Sequence, residues 1–228
     1  MNLIKHREFF NPDDFNDSIH IIGCGAVGST IAEQLTRLGI KKLYLYDFDK
    51  VNEHNITNQM FLYKHIGMSK LDALTEICRS INPEIEILQY PKGWIKGMPL
   101  SGYIFLAVDN IDTRNEIVDD NYFNTNIKAM YDIRMRLIDA QHFAAKWDEK
   151  GKKYLKETMN FTRKEADAAT PTSACGTTLS VTPTVRIISS YAICNFINTV
   201  QHKTIARNVL IDTFTWGITA CDDKGLIE

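Results

Sequence analysis

A glycine-rich turn between an apolar run and an amphipathic segment constrains the fold more than any other feature of the sequence. The apolar run, Ile19–Ile22, is typical of a buried strand, and the pattern G-x-G-x-x-G follows it at residues 23–28. Residues 26–38 place apolar side chains on one helical face and end before Gly39, a residue type that often terminates helices. Residues 41–47 then form a second strand-like run. This order of elements is how a parallel doubly wound sheet begins.

The rest of the chain continues this alternation. The further predicted helices and strands are helices at 70–81, 111–118 and 182–200 and strands at 85–90, 103–108, 128–133 and 137–143. Residues 208–218 alternate as a hairpin does. We therefore predict one α/β domain over residues 1–228, a Rossmann-like, doubly wound, mostly parallel sheet with an antiparallel C-terminal extension. Residues 1–17 would form an N-terminal arm, and residues 146–182 an insertion or crossover loop. Its charged part, 146–170, is expected to lie as helix or loop over the C-terminal edge of the sheet.

Composition narrows the classes of partner. The chain is 44% hydrophobic and 24% charged with a net charge of -2, as ordinary soluble globular proteins are. It has no basic field for nucleic acid and no polybasic run for an anionic membrane, so we expect neither partner. Residues 1–10 carry charges where a signal peptide would be apolar, and we expect a cytoplasmic protein. Since the five cysteines form no C-x-x-C pair, no zinc site is expected.

The turn and the strand after it carry the residue types of a nucleotide site. Gly23 permits a tight turn, Gly25 lets a phosphate approach the backbone, and Gly28 lets the helix pack on the strand. Ala26 opens the helix, whose N-terminus attracts anions. Asp47 ends the second strand, where an acidic side chain bonds a ribose hydroxyl. The pattern predicts nucleotide binding, and by itself it fits an NAD(P)-dependent oxidoreductase equally well.

Further motifs follow the turn in a defined order. They are Asp47-Phe48-Asp49-Lys50-Val51, Asn55-Ile56-Thr57-Asn58-Gln59, Ile66-Gly67-Met68-Ser69-Lys70, Asn82-Pro83 and Asp109-Asn110-Ile111-Asp112-Thr113-Arg114. With these motifs in register, residues 19–114 resemble the ThiF/MoeB/HesA adenylyltransferases and the adenylation domains of ubiquitin-activating enzymes. A nicotinamide site needs none of the motifs after the second strand, so the resemblance favours adenylation over hydride transfer.

The resemblance implies an enzyme that binds ATP and Mg²⁺ and adenylates a carboxylate, with release of pyrophosphate. The implied substrate is the C-terminus of a ubiquitin-like or sulfur-carrier protein, or of a peptide, and the implied assembly is a homodimer. Lys70 and Asp109 would act in catalysis, with Asp109 holding the metal. The nucleotide-binding residues that the resemblance implies are Gly23, Gly25, Ala26, Gly28, Asp47, Asp49, Asn55, Asn58, Gln59, Lys70 and Asn110.

Asn58 departs from the family pattern, which has an arginine at this position that reaches the triphosphate. The departure removes a positive charge from the expected site. Arg7, from the N-terminal arm of a dimer partner, is one candidate replacement and is counted among the catalytic residues. Arg114, Arg134 and Arg136 are others, and each of these arginines could instead form a structural ion pair. The departure also leaves open a non-catalytic subunit that completes another protein's adenylation site.

Cys175 raises a second question, because some relatives transfer the activated carboxyl group to a thiol in a comparable loop. A nucleophilic thiol needs a lowered pKa and access to solvent, and sequence reveals neither. A thioester role and a packing role both stay open for Cys175. Cys24 is expected to fill space in the turn, and Cys78 and Cys194 are expected to lie in the core.

Overall fold

Strands and helices alternate along the chain in the computed structural model, which describes residues 1–172, 179–222 and 225–226. The helices are α1 (Ala26–Arg37), α2 (Lys70–Ile81), α3 (Ile111–Asp120), α4 (Glu149–Glu157), α5 (Arg163–Ala169) and α6 (Thr182–His202). The strands are β1 (Ile19–Ile22), β2 (Lys42–Tyr46), β3 (Glu86–Tyr90), β4 (Gly102–Leu106), β5 (Ile127–Met135), β6 (Asp139–Lys146), β7 (Asn208–Asp212), β8 (Gly217–Asp222) and β9 (Gly225–Leu226). Short 3₁₀ turns occupy Pro12–Asp14, Glu53–Thr57 and Tyr63–His65.

All of these strands join one sheet, in the order β3-β2-β1-β4-β5-β6-β7-β8-β9. The pairs from β3 to β5 are parallel. The pairs from β5 to β9 are antiparallel. The predicted fold class, a Rossmann-like sheet with an antiparallel C-terminal extension, is therefore confirmed.

Local sequence sets the bounds of the helices that flank the parallel half. In α1 the buried apolar side chains recur at helical spacing, and Gly39 follows the helix with a φ of +86°, which glycine adopts at low cost. In α2 the hydroxyl of Ser69 caps the N-terminus by accepting the N–H of Asp72 at 3.0 Å. This helix ends at Ile81, and its C-cap Asn82 has the extended backbone expected for a residue that precedes a proline.

The sheet is covered on both faces. One core contains buried side chains of α1, α2 and α6, and the other contains buried side chains of α3 and α4. A doubly wound sheet needs this cover because both faces of its central strands are apolar. Among the described residues, no helix has the length and apolar character needed to cross a bilayer.

Three expectations about the chain need correction. The strand predicted at 103–108 ends at Leu106, so its last two residues belong to the turn that borders the glycine-rich loop. In the charged segment 146–170, α4 buries Leu155 in the second core, so this helix covers a face of the sheet rather than its edge. Cys194, expected in the core, is exposed on α6, whereas Cys24 and Cys78 are buried as expected.

Candidate nucleotide site

The carboxyl ends of β1 and β4 border the candidate site. The chain passes from β1 to β2 on one side and later returns to β4 on the other, so the strand order reverses between β1 and β4. Such a reversal leaves a crevice outside the strand ends, where open α/β sheets bind ligands. A Cβ atom on Gly23 would lie 2.8 Å from the carbonyl carbon of Ala107, so the loops after the two strands are in direct contact.

The glycine-rich turn has the geometry of a phosphate-binding loop. Gly23 has a φ of +91° and donates its N–H to the carbonyl oxygen of Tyr46 at 2.9 Å. A Cβ atom on Gly28 would lie 1.8 Å from the carbonyl oxygen of Gly23, so only glycine lets α1 pack this closely. At Gly25, the N-cap of α1, a Cβ atom would meet no atom of the described residues within 4 Å. The turn therefore leaves open space at the helix N-terminus, beginning at Ala26, where an anion is stabilised.

Asp47 ties the end of β2 to this turn. Its Oδ2 accepts the N–H of Cys24 at 2.7 Å, and its Oδ1 accepts the N–H of Asp49 at 2.8 Å. An ionised carboxylate offers about four acceptor positions, so capacity remains for a ribose hydroxyl. Burial raises the pKa of the Cys24 thiol well above its usual value, and the Asp47 carboxylate adds to the shift. Cys24 is therefore a protonated space-filling side chain.

Asp49 and Lys70 form an ion pair beside the turn. Lys70 is only 7% exposed, and its Nζ lies 2.7 Å from Oδ2 of the exposed Asp49. The backbone holds the two residues together as well, because the N–H of Lys70 donates to the carbonyl oxygen of Asp49 at 2.9 Å. The pair thus places a largely desolvated ammonium at the mouth of the crevice, with an anion as its partner.

The loop between β2 and α2 carries three amide side chains of the predicted site, those of Asn55, Asn58 and Gln59. The side-chain oxygen of Asn55 accepts the N–H of Asn52 at 2.9 Å, so this residue stabilises the loop itself. Asn58 donates its Nδ2 to the hydroxyl oxygen of Ser180. Its Oδ1 and the Oε1 of Gln59 are buried without a hydrogen-bond partner among the described residues. Buried acceptors without partners are rare in folded proteins, so these two mark a place where a polar ligand or its water could bind.

The segment after β4 presents Asp109 to solvent. The neighbouring Asn110 caps α3, since its Oδ1 accepts the N–H of Asp112 at 2.9 Å. Arg114 is buried, pairs with Asp132, and donates to the carbonyl oxygens of Leu106 at 3.0 Å and of Val108 and Ile133. The guanidinium of Arg114 thus fixes the backbone that positions Asp109, rather than providing a free cation.

The other arginines proposed for the missing charge also have partners in the structure. Arg7 pairs with Asp13 at 2.7 Å on the exposed N-terminal arm. Arg134 pairs with the buried Asp132, and Arg136 pairs with Asp139 at 2.8 Å. A role for Arg7 in the site of a dimer partner stays a prediction. Cys175 lies outside the described residues.

Arg186 was not among the sequence candidates, yet it reaches the loop between β2 and α2, which we call the nucleotide loop. This arginine of α6 donates its Nη1 to the hydroxyl oxygen of Thr30 at 2.6 Å and to the sulfur of Met60. Thr30 lies on α1, and Met60 follows Gln59 directly. A separation of 156 positions between Arg186 and Thr30 explains why no local pattern could reveal the contact.

The last feature of the site is its capacity to hold a divalent metal ion. Within the described parts of the chain, no three His, Cys, Asp or Glu side chains lie close enough to hold a metal ion. Mg²⁺ needs less than such a cluster, because it is usually held by one or two carboxylates together with substrate phosphates and water. The exposed carboxylate of Asp109 fits that requirement.

Comparison with known proteins shows which sequences this chain resembles. A model of the ThiF family matches residues 14–216. Ubiquitin-like modifier-activating enzyme 5 of Drosophila ananassae is 33% identical over 112 residues, which are 49% of this chain and 24% of that protein. The enzyme of the same name from Oryza sativa subsp. japonica is 44% identical over 73 residues, 32% of this chain and 17% of that protein. The matched stretches thus span about a quarter or less of these curated relatives.

Solved structures agree on the fold. MccB of E. coli, crystallised with ATP, superimposes with a TM-score of 0.72 at 14% identity, over 92% of this chain and 64% of that one. The tRNA N6-threonylcarbamoyladenosine dehydratase TcdA of E. coli gives a TM-score of 0.64 at 17% identity, over 88% of this chain and 94% of that one. At these identities the likeness concerns the fold alone.

Proposed function

This chain belongs to the ThiF family, and on that premise we propose that it binds ATP with Mg²⁺ and adenylates a carboxylate. The observation that carries the proposal is the convergence of independent motifs on one crevice. The open N-terminus of α1, the Asp47 carboxylate, the Asp49–Lys70 pair and the exposed Asp109 all border the ends of β1, β2 and β4. The structure of E. coli MccB with ATP supports the choice of nucleotide.

The proposed reaction joins two anions, which sets what the site must supply. A carboxylate oxygen attacks the α-phosphorus, a new O–P bond forms, and the bond to the β-phosphate oxygen breaks to release pyrophosphate. Positive charge must therefore surround the phosphates as negative charge moves onto the leaving group. The helix N-terminus at Ala26 and the ammonium of Lys70 provide it, and no covalent intermediate with the protein is needed for this step.

Lys70 would change partner when the nucleotide binds. In the structure its ammonium is paired with Asp49, which satisfies a desolvated charge. A triphosphate carries more negative charge in total than a carboxylate and can replace Asp49 as the partner of Lys70, so Asp49 keeps the lysine extended toward the crevice until ATP arrives. The buried acceptors of Asn58 and Gln59 are available to hydrogen-bond water on the phosphates or the metal.

Asp109 is the residue that would hold Mg²⁺. The ion would supply positive charge against the negative charge that develops on the phosphates. The capped start of α3 and the buried Arg114 fix the backbone on either side of this carboxylate. Asp109 can therefore hold its position without a second carboxylate.

The substrate that we propose is the C-terminal carboxylate of a ubiquitin-like or sulfur-carrier protein, or of a peptide. The names of the curated relatives support a ubiquitin-like protein, and the structure of MccB with AMPCPP and MccA supports this general arrangement of nucleotide and partner. We further propose a cytoplasmic homodimer. A thioester at Cys175 remains a prediction of the resemblance, and a non-catalytic subunit remains the alternative that the departure at Asn58 favours.

Isothermal titration calorimetry tests the proposal. The protein is titrated with ATP in Mg²⁺, and separately with NAD⁺ and NADPH, using wild type, Asp109→Ala and the control Glu116→Ala. The control removes an exposed carboxylate from α3, the helix that follows Asp109 in the chain. Saturable ATP binding in wild type and control, weakened at least about tenfold in Asp109→Ala, is expected for a lost metal contact. Tight nicotinamide binding without an ATP response would refute the adenylation site.

Carboxylate activation is then measured by pyrophosphate exchange. Incorporation of labelled pyrophosphate into ATP only when a candidate C-terminus is present is the expected result for an adenylating enzyme. ATP binding without exchange for any carboxylate offered would instead support the non-catalytic subunit.

A further inference from the structure

Arg186 is a half-buried cation, and no described residue provides an anion to pair with it. Its Nη1 contacts the hydroxyl oxygen of Thr30 and the sulfur of Met60, both neutral. Within the part of the chain that the structure describes, no carboxylate forms an ion pair with it. A guanidinium offers five N–H donors, and sulfur is a weak acceptor, so the described residues use only a small part of its hydrogen-bonding capacity. A charge withdrawn from water without a counterion is unfavourable, and the position therefore favours an anionic ligand.

The place that Arg186 occupies is the junction of three elements that border the crevice. It extends from α6, which packs against α1. Met60, one of its partners, donates its N–H to the hydroxyl oxygen of Ser29 at 3.2 Å and so ties the nucleotide loop to α1. Thr30 lies four residues beyond Ala26, about 6 Å along the helix axis at 1.5 Å per residue. The guanidinium is thus within reach of the open N-terminus where the glycine-rich turn receives an anion.

Thr30 orients this guanidinium. Its hydroxyl donates to the carbonyl oxygen of Ala26 at 2.9 Å, which leaves the lone pairs of the same oxygen to accept Arg186. Thr30 is 1% exposed, so the anchoring bond is shielded from water. An anchored arginine loses less freedom on binding an anion than a solvated one does, and its planar fork matches two phosphate oxygens.

We propose that Arg186 binds the phosphate groups beyond the α-phosphate of the nucleotide. The inference rests on the proposed function, since it needs ATP in the crevice. Asp47 fixes the ribose end, and the helix N-terminus receives the nearest phosphates. The terminal phosphates then extend toward the side where α6 and residues 58–60 meet, a side on which Asn58 and Gln59 offer amides without charge. Arg186 supplies the cation there.

The test compares ATP with AMP. Arg186→Gln is expected to weaken Mg²⁺-ATP binding about 10- to 100-fold, the range for a lost hydrogen bond to a charged group, and to leave AMP binding unchanged. Arg79→Gln, which removes an exposed arginine from α2, is the matched control and is expected to bind both nucleotides as wild type does. Equal losses for ATP and AMP, or no loss for either, would overturn the proposal.

A rescue variant separates phosphate binding from a packing role. Asn58→Arg, introduced into the Arg186→Gln variant, places a guanidinium on the loop between β2 and α2 instead of on α6. This second change is expected to restore ATP affinity. Loss of packing between α6 and α1 would not be repaired by this change. If Arg186→Gln does not fold, Arg186→Lys takes its place, because an ammonium keeps the charge but lacks the two-pronged contact. Wild-type protein that binds no ATP would refute the proposed function and this inference together, whereas unchanged ATP binding in the variants would refute this inference alone.

Discussion

Replacing Gly28 by alanine tests the packing of the glycine-rich turn. The new Cβ atom would lie 1.8 Å from the carbonyl oxygen of Gly23, a backbone atom that cannot move without shifting the turn. Overpacking costs about 1–3 kcal/mol, and the upper end applies because the obstruction is backbone. Alanine returns about 1 kcal/mol through its higher helix propensity. The net loss of about 2 kcal/mol should lower Tm by roughly 4–8 °C in a domain of this size.

Gly25→Ala is the matched variant with the opposite expectation. Its Cβ atom would meet no atom within 4 Å in the described part of the chain, and alanine in place of glycine at an N-cap costs at most about 1 kcal/mol. The methyl group would, however, occupy the space through which a phosphate approaches α1. Thermal unfolding should therefore show a clear loss of stability in Gly28→Ala and a smaller one in Gly25→Ala. ATP titration should show a loss of affinity in Gly25→Ala. A Gly28→Ala protein as stable as wild type would contradict the packing argument, and unchanged ATP affinity in Gly25→Ala would contradict the close approach.

Two further predictions concern buried charge. Asp132→Asn removes the carboxylate between two arginines, and urea denaturation should show a loss of about 3–5 kcal/mol, whereas the surface variant Asp119→Asn should lose no more than about 1 kcal/mol. Burial lowers the pKa of His20 to about 4 and that of His142 to about 3, so both are neutral in the folded protein. A histidine in the unfolded chain has a pKa near 6.5, so below that pH the unfolded chain binds more protons than the folded one. The free energy of unfolding should therefore fall toward pH 4, at a limiting slope of about 2.7 kcal/mol per pH unit for the two histidines together. His142→Gln should halve the slope across a series of pH values, and a flat profile in wild type would contradict the argument.

Much of the fold could be predicted from the sequence because its signals are local. The helix at Lys70–Ile81 has a capping serine before it and Asn82-Pro83 after it, so both ends are encoded within a few residues. The strand β4 was harder, because the apolar run continues to Val108 although the sheet pairing ends at Leu106. What ends the strand is the approach of Gly23 from another part of the chain, which periodicity cannot record.

The candidate site could likewise be predicted from the sequence only in part. Residue types and spacing identified Asp47, Asp49 and Lys70, and the structure brings these three around the turn. Spacing could not tell which arginines pair with carboxylates, because that depends on tertiary contacts. Arg114 was a reasonable cation candidate until its buried pairing was visible, and Arg186 lies on a helix that the nucleotide motifs do not include.

The charges around Asp109 predict how ATP binding by Asp109→Ala depends on Mg²⁺. The loss of a metal ligand alone would not predict this dependence. Burial lowers the pKa of Arg114, Arg134 lowers it further, and the Asp109 carboxylate raises it. Asp109 therefore adds negative charge to the cluster in which Asp132 pairs with the two arginines. Removing Asp109 deletes the carboxylate that would hold the metal and also makes the net charge of this group of side chains more positive by one unit. ATP should therefore bind Asp109→Ala more weakly than wild type in Mg²⁺, yet at least as tightly as wild type in EDTA, and less so as salt screens the cluster. Titration in the two buffers decides the matter: weaker binding of the variant in both would mean that Asp109 contacts the nucleotide itself rather than its metal.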